Sequence, residues 1–264
     1  AGGIDHLVNN KNGAQDSMVK GNLDTLIDRI VETLGNDILK FQSPVQSIDY
    51  TTRGQTVVTT ISGEIYHCKE VILAVSPKIS AAIQYNPPMP QDRQHFCSKF
   101  VTGNIIKTST CFKTKWWKTK GLAGFALSAD NNTSPVECCF DGTYQNSLIG
   151  FILADRAKTF GEMSVEERKE AVLKQYSLFF EADLEFVRSE CTDYVERIWN
   201  SEGFLQPGTI VPYGKAWRSS IGPIHFAGAE TATAWCGFLN GAVQAGQRAA
   251  NEVHELLDMQ LDLD

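Results

Sequence analysis

The stretch PIHFAGAETATAWCGFLNGAVQAGQRAANEV, Pro223 to Val253, constrains the fold more than any other part of the chain. It reads as a short apolar strand, a glycine-punctuated turn and a long helix. Gly237, Gly241, Ala245 and Ala249 recur every fourth residue, and Ala242 and Gly246 thicken the stripe. That spacing puts them on one helical face. Close helix–sheet packing accounts for Ala245, Gly246 and Ala249. It accounts less well for Gly237 and Gly241, because glycine in a helical first turn costs about 1 kcal/mol relative to alanine. A helix N-terminus offers unpaired N–H groups and a partial positive charge, which suit a phosphate or the pyrimidine end of a reduced flavin. The strand IHFAG delivers Gly228 and Glu230 into the same turn, where an acidic side chain can accept hydrogen bonds from a cofactor's sugar or ribityl hydroxyls. The residues alone therefore point to a nucleotide or flavin contact, with tight packing as the alternative.

Composition narrows the class. The 264 residues are enough for one large domain or two smaller ones, and the net charge is −7. No basic cluster is dense enough for a nucleic-acid groove. The nearest, KTKWWKTK from Lys113 to Lys120, reads as a surface turn anchored by its two tryptophans. The seven cysteines are odd in number and lack C-x-x-C spacing, so reduced thiols are expected rather than a disulfide framework or a zinc site. Neither a metal site nor a serine- or cysteine-type triad is suggested. No window has the apolar length of a membrane span and no signal peptide is evident. The Asn131-Asn132-Thr133 sequon carries little weight.

Along the chain, NLDTLIDRIVETLG predicts an amphipathic helix with Asn22 as N-cap and Gly35 as stop. SPVQSIDYTT, QTVVTTIS and EIYHCKEVILAVS predict a three-stranded meander turning at Arg53-Gly54 and Ser62-Gly63. The run VILAV is expected to be buried on both faces. NPPMP marks a domain crossing. GNIIKTSTCFK, SLIGFILAD and DYVERIW read as strands, SVEERKEAVLKQYSLFF as a helix opened by a Ser164–Glu167 capping box, and LQPGTIVPYG as a loop.

At this length the match to a known pattern is specific. FAGAETATAWCGFLNGAVQAGQRAA resembles the C-terminal flavin-binding signature of the flavin-containing amine oxidases, nearest to monoamine oxidases. NGAQDSMVKGN, SPVQSIDY, YNPPMP, GNIIKTSTCFKTKWW and GFILADRA resemble further blocks of that family in the same order. The resemblance implies an α/β fold in two parts. Residues 21–96 with 202–254 would form an incomplete FAD-binding, Rossmann-like domain. Residues 1–20 with 97–201 would form a substrate domain with a mixed β-sheet flanked by helices, and 255–264 a tail.

It also implies roles. Lys107 would hold a water near the reacting edge of the flavin, and Val45 would contact the adenine end. Gly228, Glu230, Gly237, Phe238 and Leu239 would form the flavin-contacting turn and helix start, with Trp199 packed beside the ring. Gln15, Cys138, Gly150 and Phe151 would line the amine cavity, with Leu7 and Val8 at its gate. Without that context Lys107 reads as a solvent-facing lysine, Phe151 as ordinary core and Cys138 as an inert thiol.

The activity implied is FAD-dependent oxidation of an amine to an imine, with dioxygen as oxidant and hydrogen peroxide as product. A polyamine or amino-acid oxidase, and an inactive binding protein of the same fold, stay open, as does a homodimer. The closest family members imply mitochondrial outer-membrane anchoring through a C-terminal apolar helix; HELLDMQLDLD is acidic and too short to span.

Three features depart from the family pattern. No G-x-G-x-x-G turn for a pyrophosphate occurs in these residues. The segment between Trp199 and Pro207 is shorter than in monoamine oxidases and leaves no place for their flavin-bonding cysteine or adjacent cage tyrosine. Phe238 stands where the nearest relatives have the other cage tyrosine, keeping a π face without a hydroxyl dipole.

Overall fold

The computed structural model describes residues 17, 19, 23–100, 103–129, 134–142, 145–199 and 215–261. The chain divides into two compact units, residues 1–100 with 210–264 and residues 101–209.

In the first unit, helix α1 (Asp24–Leu34) forms where the apolar spacing placed it. Gly35 stops it at φ 86°, its N–H donating to the Val31 carbonyl at 2.8 Å. The expected N-cap, Asn22, lies outside the described residues, and Leu23 serves as N-cap with no side-chain hydrogen bond. Strands β1 (Val45–Thr52), β2 (Gln55–Thr60) and β3 (Ile65–Cys68) are antiparallel, with Gly54 and Gly63 at φ 75° and 88° in the two turns. Such left-handed positions favour glycine.

The run EIYHCKEVILAVS is two strands rather than one. After β3 the chain leaves the meander, and β4 (Val71–Leu73) pairs parallel with β11 (Ile224–Phe226). Nor is VILAV buried throughout: Leu73 is buried, whereas Ile72, Ala74 and Val75 are exposed. Helix α2 (Pro77–Ala82), capped by Ser76, leads to β5 (Gln84–Asn86), which adds parallel to β1. Helix α3 (Gln91–Lys99) follows.

Ile48, Leu73, Ile83, Met89, Ile224 and Phe226 form the core of this unit. The last helix, α9 (Leu239–Leu261), continues through residues expected to be a tail. It is tied to the parallel pair by the buried His225, whose Nδ1 lies 2.9 Å from Glu252 and Nε2 3.2 Å from Glu70.

The second unit is a five-stranded sheet of β6 (Ile105–Phe112), β7 (Ala126–Leu127), β8 (Cys138–Asp141), β9 (Ser147–Leu153) and β10 (Cys191–Ile198), in the order β10-β6-β9-β8-β7. Every pairing is antiparallel. The mixed sheet, expected here, instead lies in the first unit, where β5 runs parallel to β1 in an otherwise antiparallel sheet. Alternation explains the difference. Ile106, Thr108, Thr110 and Phe112 of β6 are buried and the residues between them are not, which is the pattern of an antiparallel sheet covered on one face.

The covered face packs on α4 (Trp116–Thr119), α5 (Ala154–Gly161), α6 (Val165–Phe179) and α7 (Leu184–Glu190) through residues such as Ile106, Phe112, Trp117, Phe160, Tyr176 and Val187. Trp116 and Trp117 anchor their basic turn as expected. Helix α6 opens with the expected capping box, and its Gln175 side chain both donates to and accepts from the Val136 backbone at 2.6 Å.

Candidate functional site

The flavin-signature stretch folds as β11, a single turn of 3-10 helix at Ala229–Thr231, a loop, and α9. The loop closes on itself and on the helix behind it. Thr231 Oγ1 donates to the Gly228 carbonyl at 2.7 Å, and Arg248 reaches back from α9 to the Phe226 carbonyl at 2.5 Å. Gln244 Oε1 accepts from the N–H groups of Thr233 and Ala234 at 2.7 and 3.2 Å.

Two glycines owe their identity to this closure. Gly237 lies before the helix, not in its first turn, at φ 80° with its N–H donating to the Ala229 carbonyl at 3.1 Å. A Cβ on Gly241 would fall 2.1 Å from the Trp235 carbonyl oxygen, so the atom crowding that backbone is the chain's own. Gly246 has open space around it.

What this loop presents outward is the start of α9. Gly237, Leu239 and Asn240 are exposed, and Phe238 is half-buried with its ring edge-on to Trp235, centroids 5.6 Å apart. Glu230 lies folded against Gly228, where a Cβ would meet its carboxylate oxygen at 2.0 Å. Burial raises the Glu230 pKa, while its own backbone N–H and the Arg93 guanidinium pull the other way. Arg93 is itself buried, its guanidinium 3.2 Å from the Phe226 ring centroid and 4.1 Å from that of Trp217. Its pKa is pushed down to about 10 by that burial. Arg93, on α3, lies 124 residues before Trp217 in the chain and carries no sequence signal of this role, whereas Trp217, on the short helix α8 (Lys215–Arg218), comes just before β11. Val45 opens β1, paired with Thr60 and packed on the core.

In the second unit, register brings three of the expected site residues, Lys107, Phe151 and Cys138, into one row. Lys107 pairs with Phe151, Phe151 with Cys138, and Cys138 with Leu127; on the other side Lys107 pairs with Arg197. All five side chains stand on the uncovered face. The Lys107 ammonium lies 5.6 Å from the Phe151 ring centroid, and Phe140 meets Phe151 edge-on at 6.0 Å. Phe125 extends the aromatic ledge, 5.3 Å from Phe140.

Cys138 is half-buried; desolvation first, and then the Glu137 carboxylate, raise its pKa and keep the thiol protonated. Gly150 faces the opposite way. A Cβ there would lie 2.6 Å from Thr108 Oγ1 and 2.7 Å from the Tyr176 hydroxyl, inside the core. Trp199 follows β10, half-buried, whereas Leu7, Val8 and Gln15 lie outside the described residues. Sequence reasoning missed Phe125, Phe140, Leu127 and Arg197. The period of 2 that places Phe140 on the same face as Cys138 was the signal available for it.

The exposed start of α9 and the Glu230 carboxylate fit a hydroxyl-bearing, polarisable cofactor. Among the described residues no candidate metal cluster is present, and no helix is long and apolar enough to cross a membrane.

Human amine oxidase [flavin-containing] B is 33% identical over 96% of this chain and 50% of its own length, and bovine amine oxidase [flavin-containing] A is 31% identical over 96% and 49%. The chain thus spans about half the length of the curated relatives it matches. Among solved structures, cyclohexylamine oxidase from Brevibacterium oxydans superposes with a TM-score of 0.85 at 24% identity, covering 97% of this chain and 58% of that one. Putrescine oxidase bound to putrescine superposes with a TM-score of 0.83 at 27% identity, covering 97% and 57%. Residues 2–254 match the flavin containing amine oxidoreductase family, and the chain belongs to that family, whose cofactor is FAD.

Proposed function

We propose that this protein takes part in FAD-dependent oxidation of an amine to an imine, with dioxygen reduced to hydrogen peroxide. The observation that carries the reading is the row Lys107–Phe151–Cys138 with Phe140 beside it: an ammonium flanked by aromatic rings on one side and by Arg197 on the other. When bound, the flavin supplies the two-electron redox step, and water then hydrolyses the released imine to a carbonyl compound.

The chain's own residues have narrower tasks. Phe151 and Phe140 offer π faces and edges that orient an aryl or alkyl amine and exclude water from the carbon that loses hydrogen. Lys107 holds a water within that apolar surround. Its positive charge disfavours a protonated amine nearby and so favours the neutral form that reacts. Glu230 would accept hydrogen bonds from cofactor hydroxyls, and the first-turn N–H groups of α9 would favour an electron-rich group there. Both charged side chains in the row, Lys107 and Arg197, are cations, which argues against a polyamine carrying several positive charges. A mitochondrial outer-membrane location belongs to the same proposal and rests on resemblance alone.

The test uses flavin-loaded protein obtained with the complementary half of the fold supplied. Peroxide release from aryl-alkyl monoamines, faster than from polyamines and lowered at least tenfold by Lys107→Met, is the expected result. A yellow protein that releases no peroxide from any amine overturns the reaction and leaves the binding-protein reading.

A further inference from the structure

Trp235 stands in the left-handed region of the backbone, at φ 53°. For a bulky side chain that conformation is an outlier, and it persists only where the surrounding structure over-determines it. The contacts around Trp235 do so from both sides. Ahead of it, the N–H groups of Thr233 and Ala234 both donate to one atom, Gln244 Oε1, at 2.7 and 3.2 Å. Behind it, the Phe238 N–H donates to the Trp235 carbonyl at 3.0 Å, and the Ala242 N–H donates to the Phe238 carbonyl at 2.9 Å.

Gln244 lies in the second turn of α9, half-buried, and its acceptor goes to the loop rather than to the helix's own first turn. Loop and helix start are thereby joined as one piece. The Trp235 carbonyl oxygen occupies the place where a Cβ of residue 241 would stand, 2.1 Å away, so neither segment can shift without the other.

The outcome is a fixed aromatic pair beside the exposed residues Gly237, Leu239 and Asn240. The rings of Trp235 and Phe238 meet edge-on, centroids 5.6 Å apart. Phe238 has no hydroxyl with which to anchor its own ring, so the tryptophan edge sets its orientation. A site that must first order a loop and a ring loses affinity for a rigid planar ligand, and a site ordered beforehand does not.

We propose that Gln244 is a positioning residue: by latching Thr233 and Ala234 it holds Trp235 in its left-handed turn, and so fixes the Phe238 ring and the start of α9 for the planar ring of the cofactor. The inference rests on the reading that the flavin meets the start of α9. It adds which side chain makes that surface rigid, and its readouts need no amine turnover.

The experiment compares Gln244→Met, which keeps the side-chain length and removes the acceptor, with Gln244→Glu, which keeps an acceptor oxygen. In this chain alone, amide exchange at Thr233 and Ala234 should quicken at least tenfold in Gln244→Met and stay within twofold of the parent in Gln244→Glu. In protein loaded with FAD, with the complementary half of the fold supplied, FAD release is followed by flavin fluorescence. It should be at least fivefold faster in Gln244→Met and unchanged in Gln244→Glu. Trp235→Gly relieves the backbone strain but removes the ring, and should release FAD at least threefold faster. Ser164→Ala loosens a helix of the other unit and should leave FAD release as it was. Parent-like release in Gln244→Met or Trp235→Gly would overturn the proposal, as would parent-like exchange in Gln244→Met, equal acceleration by Ser164→Ala, or a Gln244→Glu protein that behaves as Gln244→Met. A parent protein that takes up no FAD would instead refute the cofactor reading itself, and this role with it.

Discussion

Glu196→Ala should unfold the second unit more readily than any exposed substitution in it. Arg168 and Glu196 are 3% and 8% exposed, and they pair across α6 and β10. The guanidinium donates through Nε at 2.9 and 2.8 Å and through Nη2 at 2.5 Å, so the carboxylate takes both faces of the fork. Nη1 is satisfied separately by the carbonyls of Phe160 and Met163 at 2.7 and 2.6 Å, and the Tyr194 hydroxyl donates to Glu196 at 2.8 Å. Truncating Glu196 leaves Nε, Nη2 and the tyrosine hydroxyl without acceptors beside a charge that water cannot reach. Breaking a buried pair from one side costs about 3–5 kcal/mol. At roughly 2–4 °C per kcal/mol for a chain of this size, the midpoint should fall by about 6–20 °C.

Urea unfolding followed by tryptophan fluorescence measures the loss, since Trp116 and Trp117 sit in the same core. Substituting Arg168→Met, Glu196→Leu and Tyr194→Phe together should recover most of it, because an apolar set of similar volume leaves no stranded charge. A loss below about 1 kcal/mol for Glu196→Ala, in the range of an exposed pair, would refute the argument.

Three other outcomes follow from single contacts. Gly150→Ala drives a methyl into Thr108 and Tyr176, so a loss of about 1–3 kcal/mol is expected, partly recovered by Tyr176→Phe, which removes one of the two collisions; equal midpoints for both variants would contradict it. Ser164→Ala removes the capping box of α6 and should cost about 1 kcal/mol in the same assay. Burial pushes the Cys139 thiol up to about 12 from its ordinary 9.0; unfolded chains ionise first, so stability present below pH 9 should decline as pH rises from 9 toward 12, and Cys139→Ser should flatten that decline.

Much of the architecture was legible because local rules and tertiary demands agree in this chain. Gly54 and Gly63 stand at φ 75° and 88° where a hairpin needs them, and Ser164 finds Glu167 three residues on. The third strand of the meander forms but ends at Cys68, and the apolar run beyond it departs from the expectation. Its apolar composition suits both an antiparallel neighbour and a parallel one, and only β11, more than 150 residues later in the sequence, decides that Val71–Leu73 leaves the sheet. Gly241 was readable as a crowded position, but not what crowds it. The Trp235 carbonyl arrives there across a loop in which both Trp235, at φ 53°, and Gly237, at φ 80°, take left-handed conformations.

The row through Lys107 shows where sequence reading stops. Lys107, Phe151, Cys138 and Arg197 lie on four strands, and each is unremarkable within its own strand. Their chemistry exists only in register, because a one-residue slip of β9 would turn Phe151 into the core and bring a neighbour beside the lysine. Gly150 sets that register physically. It is the position on β9 where the core hydroxyls of Thr108 and Tyr176 leave no room for a side chain, so shifting the strand by one residue would force Ile149 or Phe151 into that space. The glycine expected to line an amine cavity instead faces the core, and from there it holds the next residue's ring on the same face as Lys107.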